Sequence, residues 1–97
     1  MKTHQLKIWP RWFDLVYAGI KNFEVRRDDR GFKVGDFLLL EEYRSGVGEY
    51  TGRSITRQIS YIVRAGLDAE AFGLKEGFCV LGLEENTPSK SSASIPD

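Results

Sequence analysis

The scarcity of helical periodicity is the feature of this sequence that most constrains its fold. Helical periodicity is found in one place, which starts at Pro10. From there Phe13, Val16, Tyr17 and Ile20 follow the spacing of one helical face. Proline suits the first turn of a helix, and Gly19 is of the residue type that most often ends one. The pattern predicts one helix, over residues 10–18, and leaves the rest of the core to strands.

Short alternating or apolar segments make up most of the remaining chain. Asn22–Arg26 alternates polar and apolar residues, which predicts a strand with Phe23 and Val25 on its buried face. Phe37–Leu40 is continuously apolar, which indicates a strand buried on both faces. The further predicted strands are His4–Ile8, a short bent segment over Tyr50–Arg53, Ser54–Val63 with Ile55, Ile59 and Tyr61 on one face, and Phe78–Leu83.

Five or six short strands with one early helix indicate an α+β fold. We predict a small closed or nearly closed β-barrel of mostly antiparallel strands with the helix packed across it, because closure removes the exposed edges that endanger small β proteins. Residues 1–85 form one domain in this prediction, with a helical turn at Asp68–Ala71. Residues 86–97, rich in serine and other small or polar residues, are predicted to form a disordered tail.

Composition narrows the possible functions. The 97 residues suffice for one hydrophobic core, and the single cysteine, Cys79, lies in an apolar run and is predicted to be buried. One cysteine and one histidine without a spaced set of carboxylates predict no metal site, and no cofactor is indicated. No apolar stretch approaches the roughly 20 residues of a membrane span, and the N-terminus lacks the apolar segment of a signal peptide, so we expect a cytoplasmic protein.

Charge is unevenly distributed although the formal net charge is zero. The chain has 12 basic and 8 acidic residues through Arg64, against 2 basic and 6 acidic residues from Ala65 onward. The first part is therefore where a polyanion would bind. Its scattered basic residues would form a phosphate track if they converge in the fold, and they include Arg27, Arg30, Lys33, Arg44, Arg53 and Arg57.

One eight-residue segment, Gly19-Ile20-Lys21-Asn22-Phe23-Glu24-Val25-Arg26, resembles the G-x-K-x-x-E-x-R signature of ASCH domains in the PUA-like superfamily. All four specified positions are filled, and the segment follows a predicted helix and opens a predicted strand. Val34-Gly35-Asp36 is similar to a later V-G-D element of that family. The resemblance covers residues 3–84 and extends to a small stand-alone branch found in bacteria and phages, through His4–Pro10, Arg26–Arg30, Tyr50–Arg53 and Gly73–Phe78.

The resemblance implies a compact β-barrel with a cleft beside the helix that recognises RNA or a modified base. One branch of the family is an amidohydrolase that acts on acetylated cytidine through a Lys, a Thr and a Glu. Its Lys corresponds to Lys21, whereas the position of its Thr is Glu24 here, so this sequence departs from that catalytic set. The leading expectation is therefore a domain that binds nucleic acid, RNA in particular, or a nucleoside. The alternatives are a small hydrolase acting on a modified nucleoside or RNA, and an accessory protein whose cleft binds a partner.

The side chains of the motif suit both leading functions. Arg26 offers a planar fork to a phosphate or a base edge, and Glu24 can accept hydrogen bonds from an exocyclic amine. Lys21 offers a point charge to phosphate, or a base if burial lowers its pKa. A hydrolase would use Lys21 and Glu24 for proton transfer, but the motif contains no obvious nucleophile, which favours binding. The competing structural interpretation is a surface ion pair on an exposed strand face, with Gly19 as a helix end.

Three further residues are candidates outside that motif. His4, the only histidine, shares strand parity with the apolar residues around it, so it is either a partly buried structural residue or a general base near the cleft. Trp9 and Trp12 flank the start of the helix and either belong to the core or stack on a base.

Overall fold

Five strands and one helix form the fold in the computed structural model, which describes residues 1–66 and 73–85. In chain order they are β1 (Thr3–Ile8), α1 (Pro10–Tyr17), β2 (Phe23–Arg27), β3 (Phe37–Arg44), β4 (Glu49–Arg64) and β5 (Phe78–Glu84). The predicted elements are confirmed with small shifts at their ends, except that the two predicted segments over 50–53 and 54–63 are one long strand, β4. The turn predicted at 68–71 and the tail predicted at 86–97 lie outside the described residues.

The strands form one sheet in the order β1-β3-β4-β5-β2. β1 pairs with β3 in parallel, and the other neighbours are antiparallel, as predicted for most of the sheet. The sheet curves into a half-barrel with α1 packed against it, so the expectation of a small α+β barrel-like fold is confirmed in this coarser form. Within residues 1–66 and 73–85, no strand pairing joins β1 to β2, and these two strands are the open ends of the half-barrel.

The core occupies the inner face of the curved sheet and the adjacent face of α1. It contains Phe13 and Val16 from the helix together with Leu6, Ile8, Phe32, Leu38, Leu40, Ile59, Cys79, Leu81 and Leu83. In β3, burial alternates along the strand, and Leu39 between Leu38 and Leu40 is only half-buried. The prediction that this strand is buried on both faces is therefore wrong, because only one face of the half-barrel is covered.

A β-bulge in β4 reverses the predicted faces near the end of that strand. The register with β5 skips Ser60, so Tyr61 turns to solvent while Ile62 packs against the core. The prediction that Tyr61 shares a face with Ile59 is wrong for this reason. Space opposite the bulge is limited, because a Cβ atom on Gly82 would lie 3.0 Å from Oγ of Ser60 and the serine side chain would have to shift.

β2 shows the largest departure from the predicted packing. Phe23 and Val25, predicted to be buried, are 44% and 52% exposed, whereas Glu24 is only 4% exposed. Glu24 lies opposite Leu81 of β5, which is fully buried, and cross-strand partners share a face of the sheet. The polar face of β2 is thus the inner one, and it lies beside the gap between the two ends of the half-barrel.

Candidate functional site

A cleft of about 520 Å³ lies between the two ends of the half-barrel. The residues that line it come from the end of β1, the start of α1, and the segment from Lys21 through β2. They are Lys7, Ile8, Trp9, Trp12, Lys21, Phe23, Glu24, Val25 and Arg26. A cavity of this size with a mostly apolar wall and a few polar groups is typical of a site for a small molecule or a base.

The start of α1 places both tryptophans at the mouth of this cleft. The carbonyl oxygen of Trp9 accepts hydrogen bonds from the amides of Trp12 at 3.0 Å and Phe13 at 2.9 Å, while Pro10 occupies the first turn. Trp9 is 52% exposed and Trp12 is 37% exposed, so neither is a core residue. The ring of Trp9 is therefore available for stacking against a planar ligand, whereas the Trp12 ring also has the Arg11 guanidinium 4.9 Å from its centroid.

The end of α1 determines where Lys21 lies. Gly19 adopts a left-handed conformation with φ of +78°, and its amide donates to the carbonyl of Val16 at 3.0 Å. The amides of Ile20 and Lys21 both donate to the carbonyl of Leu15, at 2.9 and 3.0 Å. This arrangement satisfies the last carbonyls of the helix and reverses the chain, so that Lys21 enters the cleft. Gly19 itself does not line the cleft.

Glu24 is held between two cations at the inner side of the cleft. Nζ of Lys21 donates to one carboxylate oxygen, and Nε of Arg26 donates to the other at 2.9 Å. A buried carboxylate is costly unless it is paired and hydrogen-bonded, and both conditions are met here. The Lys21, Glu24 and Arg26 positions of the motif therefore form one cluster, which lies partly inside the fold and not on an exposed strand face.

Both cations of this cluster retain donors that no described residue uses. Nζ of Lys21 also donates to the carbonyl of Phe23 at 2.7 Å, which leaves one of its three hydrogens. Nη2 of Arg26 donates to the carbonyl of Lys7 at 2.7 Å, and Nη1 has no acceptor among the described residues. The Lys21 ammonium lies 4.8 Å from the ring centroid of Phe23 and 5.8 Å from that of Trp12. The cleft thus offers N–H donors, carboxylate oxygens and aromatic faces together.

The structure does not bring His4 into this cleft. Its side chain is buried, with Nε2 2.8 Å from Oδ2 of Asp36 and its ring edge-on to Phe32. The carboxylate of Asp36 also accepts hydrogen bonds from the amides of Lys2 and Lys33, and the bond to His4 is the main reason that the pKa of Asp36 is lowered. The arrangement matches the structural interpretation of this histidine.

The scattered basic residues do not converge on the cleft. Arg53 pairs with Glu42 and Asp14, and Arg57 donates to the carbonyl of Val16. Arg30 alone of that set lines a described cavity, where it lies beside the edge of β1. The proposed phosphate track therefore does not form from those residues as a group.

Sequence reasoning missed Lys7 and Phe23 as residues of the cleft. Lys7 lies on the outward face of an alternating strand, where a lysine is ordinary, and Phe23 was assigned to the core by its alternation with polar residues. Only the position of each residue in the sequence could have indicated its role. Lys7 lies next to the last residue of β1, and Phe23 lies inside the motif.

The described residues contain neither a metal cluster nor a membrane-spanning helix. In residues 1–66 and 73–85, no three His, Cys, Asp or Glu side chains come together in a way that could hold a metal ion. No helix in this part of the chain is long and apolar enough to cross a membrane.

Comparison with known proteins identifies the family. A 59-residue segment is 41% identical to the "Uncharacterized 12.9 kDa protein in GpA 3'region" of Escherichia phage P2, and this segment is 61% of the present chain. The chain spans about half, 52%, of the length of that phage relative. Residues 3–83 match the family described as "Domain of unknown function (DUF3850)", which is most of the chain and includes β1 through the penultimate residue of β5. The chain belongs to the DUF3850 family.

Proposed function

We propose that this protein is an ASCH-type domain of the PUA-like class that binds nucleic acid, RNA in particular, or a nucleoside in the cleft between β1 and β2. The observation that carries the proposal is the cluster of Lys21, Glu24 and Arg26, which the fold holds in an apolar cleft with two exposed tryptophans. The half-barrel with a helix beside the cleft agrees with the architecture that the motif implies.

The chemistry of a nucleobase fits this cleft well. A base has two aromatic faces and a polar edge that carries both donors and acceptors. Trp9, Trp12 and Phe23 present rings for the faces, and base–aromatic stacking contributes about 1–3 kcal/mol per base. Glu24 presents oxygens to an exocyclic amine, and Nη1 of Arg26 presents two hydrogens to a carbonyl or ring nitrogen.

The two tryptophans make the proposal directly testable. They are the only tryptophans in the chain, and both line the cleft, so a ligand that stacks there should change the intrinsic fluorescence. We expect short RNAs to quench this fluorescence saturably, with DNA oligonucleotides and free nucleosides titrated alongside. Arg26→Ala should weaken binding by about 1–3 kcal/mol, the usual scale for the loss of an arginine contact to a base.

Arg27 provides a matched control for Arg26. It follows in the same strand, but its guanidinium lies 4.9 Å from the ring of Phe78 and outside the cleft. Arg27→Ala removes the same charge and should leave quenching and affinity nearly unchanged. Equal losses in the two variants would mean that general charge, not the cleft, drives binding. A protein whose fluorescence responds to none of these ligands would contradict the proposal.

The contact between Lys21 and Glu24 supports a second candidate, a small hydrolase acting on a modified nucleoside or on RNA. An amine in direct contact with a buried carboxylate can pass a proton to or from a bound substrate. Neither residue is a hydroxyl or thiol nucleophile, so water would have to attack. The test is hydrolysis of acetylated cytidine and of short RNA by the wild type, by Lys21→Ala and by Glu24→Gln. An enzyme would lose about 10²-fold or more in turnover in the variants, the usual scale for a lost acid–base group.

A further inference from the structure

A second cavity of about 400 Å³ adjoins the cleft along the outer edge of β1. It is lined by Gln5, Leu6, Lys7, Arg26, Arg30, Glu41 and Tyr50. Two of these, Lys7 and Arg26, also line the cleft, so the two cavities meet at these side chains. The second cavity thus lies on the far side of Lys7 and Arg26 from the tryptophans.

Three of the seven residues that line the second cavity are cationic. Nζ of Lys7 lies 4.4 Å from the ring centroid of Tyr43 and 6.0 Å from that of Tyr50. These rings orient the ammonium by a cation–π contact, while none of its hydrogens has an acceptor among the described residues. The aromatic neighbours thus set the position of the Lys7 ammonium, while its N–H groups remain able to donate hydrogen bonds to a ligand.

Two arginines add directed donors to the same cavity. Nη1 of Arg30 donates to the carbonyl of Gln5 at 2.8 Å, and Nη2 of Arg26 donates to the carbonyl of Lys7 at 2.7 Å. Each guanidinium is therefore anchored on the edge of β1 through one nitrogen, and its other terminal nitrogen has no acceptor in the described part of the chain. Glu41 is the single acidic residue in this lining.

Capping of an edge strand would explain the two bonds to β1 carbonyls but not the rest of the arrangement. An arginine that only protects an edge needs no cavity beside it and no neighbouring ammonium without an acceptor. Among the described residues, Lys7 has no paired carboxylate, whereas Arg26 is paired with Glu24 and Arg30 lies 3.9 Å from Asp29. Even so, each of the three cations retains N–H donors that no described residue uses. A phosphate group has the charge and the oxygen acceptors that such a cluster binds.

We propose that the second cavity is a phosphate subsite, and that the ligand is a nucleic-acid strand whose base occupies the cleft and whose adjoining phosphodiester lies between Lys7, Arg26 and Arg30. This inference rests on the proposed function and sharpens it, because it assigns a strand of at least two nucleotides as the ligand in place of a free nucleoside. A free nucleotide carries the same phosphate chemistry, and the experiment distinguishes the two sources.

The experiment compares a nucleoside, its 5′-monophosphate and a dinucleotide by tryptophan fluorescence. We expect the wild type to bind the dinucleotide about tenfold or more tightly than the nucleoside, as for a phosphate held by several cations. Arg30→Gln and Lys7→Gln, measured separately, should each reduce that ratio. Their plots of log affinity against log salt for a short single strand should become shallower by about 0.7, the contribution of one phosphate contact.

Lys33→Gln is the charge-matched control. Lys33 is exposed and lines neither cavity, and its side chain has no hydrogen bond or ion pair among the described residues. In this variant, the ratio of dinucleotide affinity to nucleoside affinity should keep its wild-type value. The slope of log affinity against log salt should also be unchanged. A thermal melt of each protein checks that Arg30→Gln, which removes a bond to β1, remains folded under the conditions of the titration.

The possible failures are distinguishable. A wild type that binds nucleoside and dinucleotide equally well overturns the phosphate subsite and leaves the proposed function intact. A large ratio that persists in both Arg30→Gln and Lys7→Gln likewise overturns the subsite alone. A monophosphate that binds as tightly as the dinucleotide overturns the strand as ligand. Failure of every ligand to bind overturns the proposed function, and the subsite with it.

Discussion

The guanidinium of Arg26 connects the two ends of the sheet, since its Nη2 lies 2.7 Å from the carbonyl oxygen of Lys7 in β1 while its Nε lies 2.9 Å from the carboxylate of Glu24 in β2. In a closed barrel, backbone hydrogen bonds between neighbouring strands would occupy this position. Here one side chain spans the gap and leaves open space on both sides of it. The same residue therefore contributes to holding the half-barrel together and lines both cavities.

Arg26 and Glu24 should be energetically coupled. Arg26→Gln removes the bonds to Glu24 and to Lys7, so we expect it to lower the free energy of unfolding by about 1–3 kcal/mol. Glu24→Gln should have a similar cost, because the negative charge is lost and the amide can accept from only one of Lys21 and Arg26 while its NH2 group faces the other. The double variant should lose less than the sum of the two, by about 0.5–3 kcal/mol. Urea unfolding of the four proteins measures this coupling, and strict additivity would contradict it.

Gly19 should be far more sensitive to substitution than another glycine with open surroundings. Its φ of +78° is unfavourable for a residue with a Cβ atom, although no atom lies within 4 Å of the Cβ position. Gly19→Ala should lower the free energy of unfolding by about 1–2 kcal/mol through this backbone strain. Gly46→Ala is the matched control, since Gly46 has the same open surroundings without a positive φ. Equal thermal midpoints for the two variants would show that the helix end tolerates a side chain.

The pair of Glu42 and Arg53 should make stability depend on pH in the acid range. Glu42 is buried and accepts hydrogen bonds from Nε and Nη2 of Arg53, both at 2.8 Å, and from Thr51. The bond from Arg53, followed by that from Thr51, lowers the pKa of Glu42 from 4.5 to about 2. A carboxyl group with a lower pKa in the folded state stabilises the fold above its unfolded pKa. That contribution is lost as the pH falls from about 4.5 to about 2.

Comparison of Glu42→Gln with the wild type isolates this contribution. The variant should be less stable by about 1–3 kcal/mol near neutral pH, because a buried charged hydrogen bond is lost. The difference should shrink as the pH is lowered towards 2. Glu76→Gln, a substitution at an exposed position, should follow the wild type throughout. A difference between Glu42→Gln and the wild type that is independent of pH from 7 to about 2 would refute the assignment.

Cys79 should be unreactive while the protein is folded. It is completely buried, and burial raises the pKa of its thiol to about 11, with the Asp28 carboxylate adding to the rise. Because the thiolate is the reactive form, a thiol reagent at pH 8 should modify Cys79 only as the chain unfolds. The rate of modification should rise with denaturant in parallel with the unfolding transition. Rapid labelling without denaturant would show that β5 opens locally.

The order and type of the elements could be predicted because they depend on local patterns. The apolar spacing from Phe13 to Ile20 is enough to identify α1, and Gly19 is enough to end it. The inward parity of His4, Leu6 and Ile8 in β1 is also confirmed. In each of these cases, neighbouring residues along the chain determine the outcome.

The faces of β2 could not be predicted in the same way, because they depend on contacts made across the sheet. Alternation alone assigns Phe23 to the core and Glu24 to solvent. The structure reverses this assignment. Glu24 can be buried because Lys21 and Arg26 donate hydrogen bonds to its carboxylate, and the ring of Phe23 is exposed because it faces the gap beside β1. Recognition of the motif still identified the three clustered residues. It could not identify Lys7, whose contribution depends on β1 and β2 lying at opposite ends of the sheet.

Every residue that lines the cleft lies between Lys7 and Arg26 in the sequence, because α1 links the two strands at the ends of the half-barrel. The other three strands keep those ends at a fixed separation without supplying a side chain to the cleft. The residues of the cleft are therefore encoded in one short stretch of the gene, which also supplies Ile8, Phe13 and Val16 to the core. A single mutagenic cassette over codons 7 to 26 that leaves Ile8, Phe13 and Val16 unchanged can therefore vary the exposed cleft surface while the core and the other three strands stay constant.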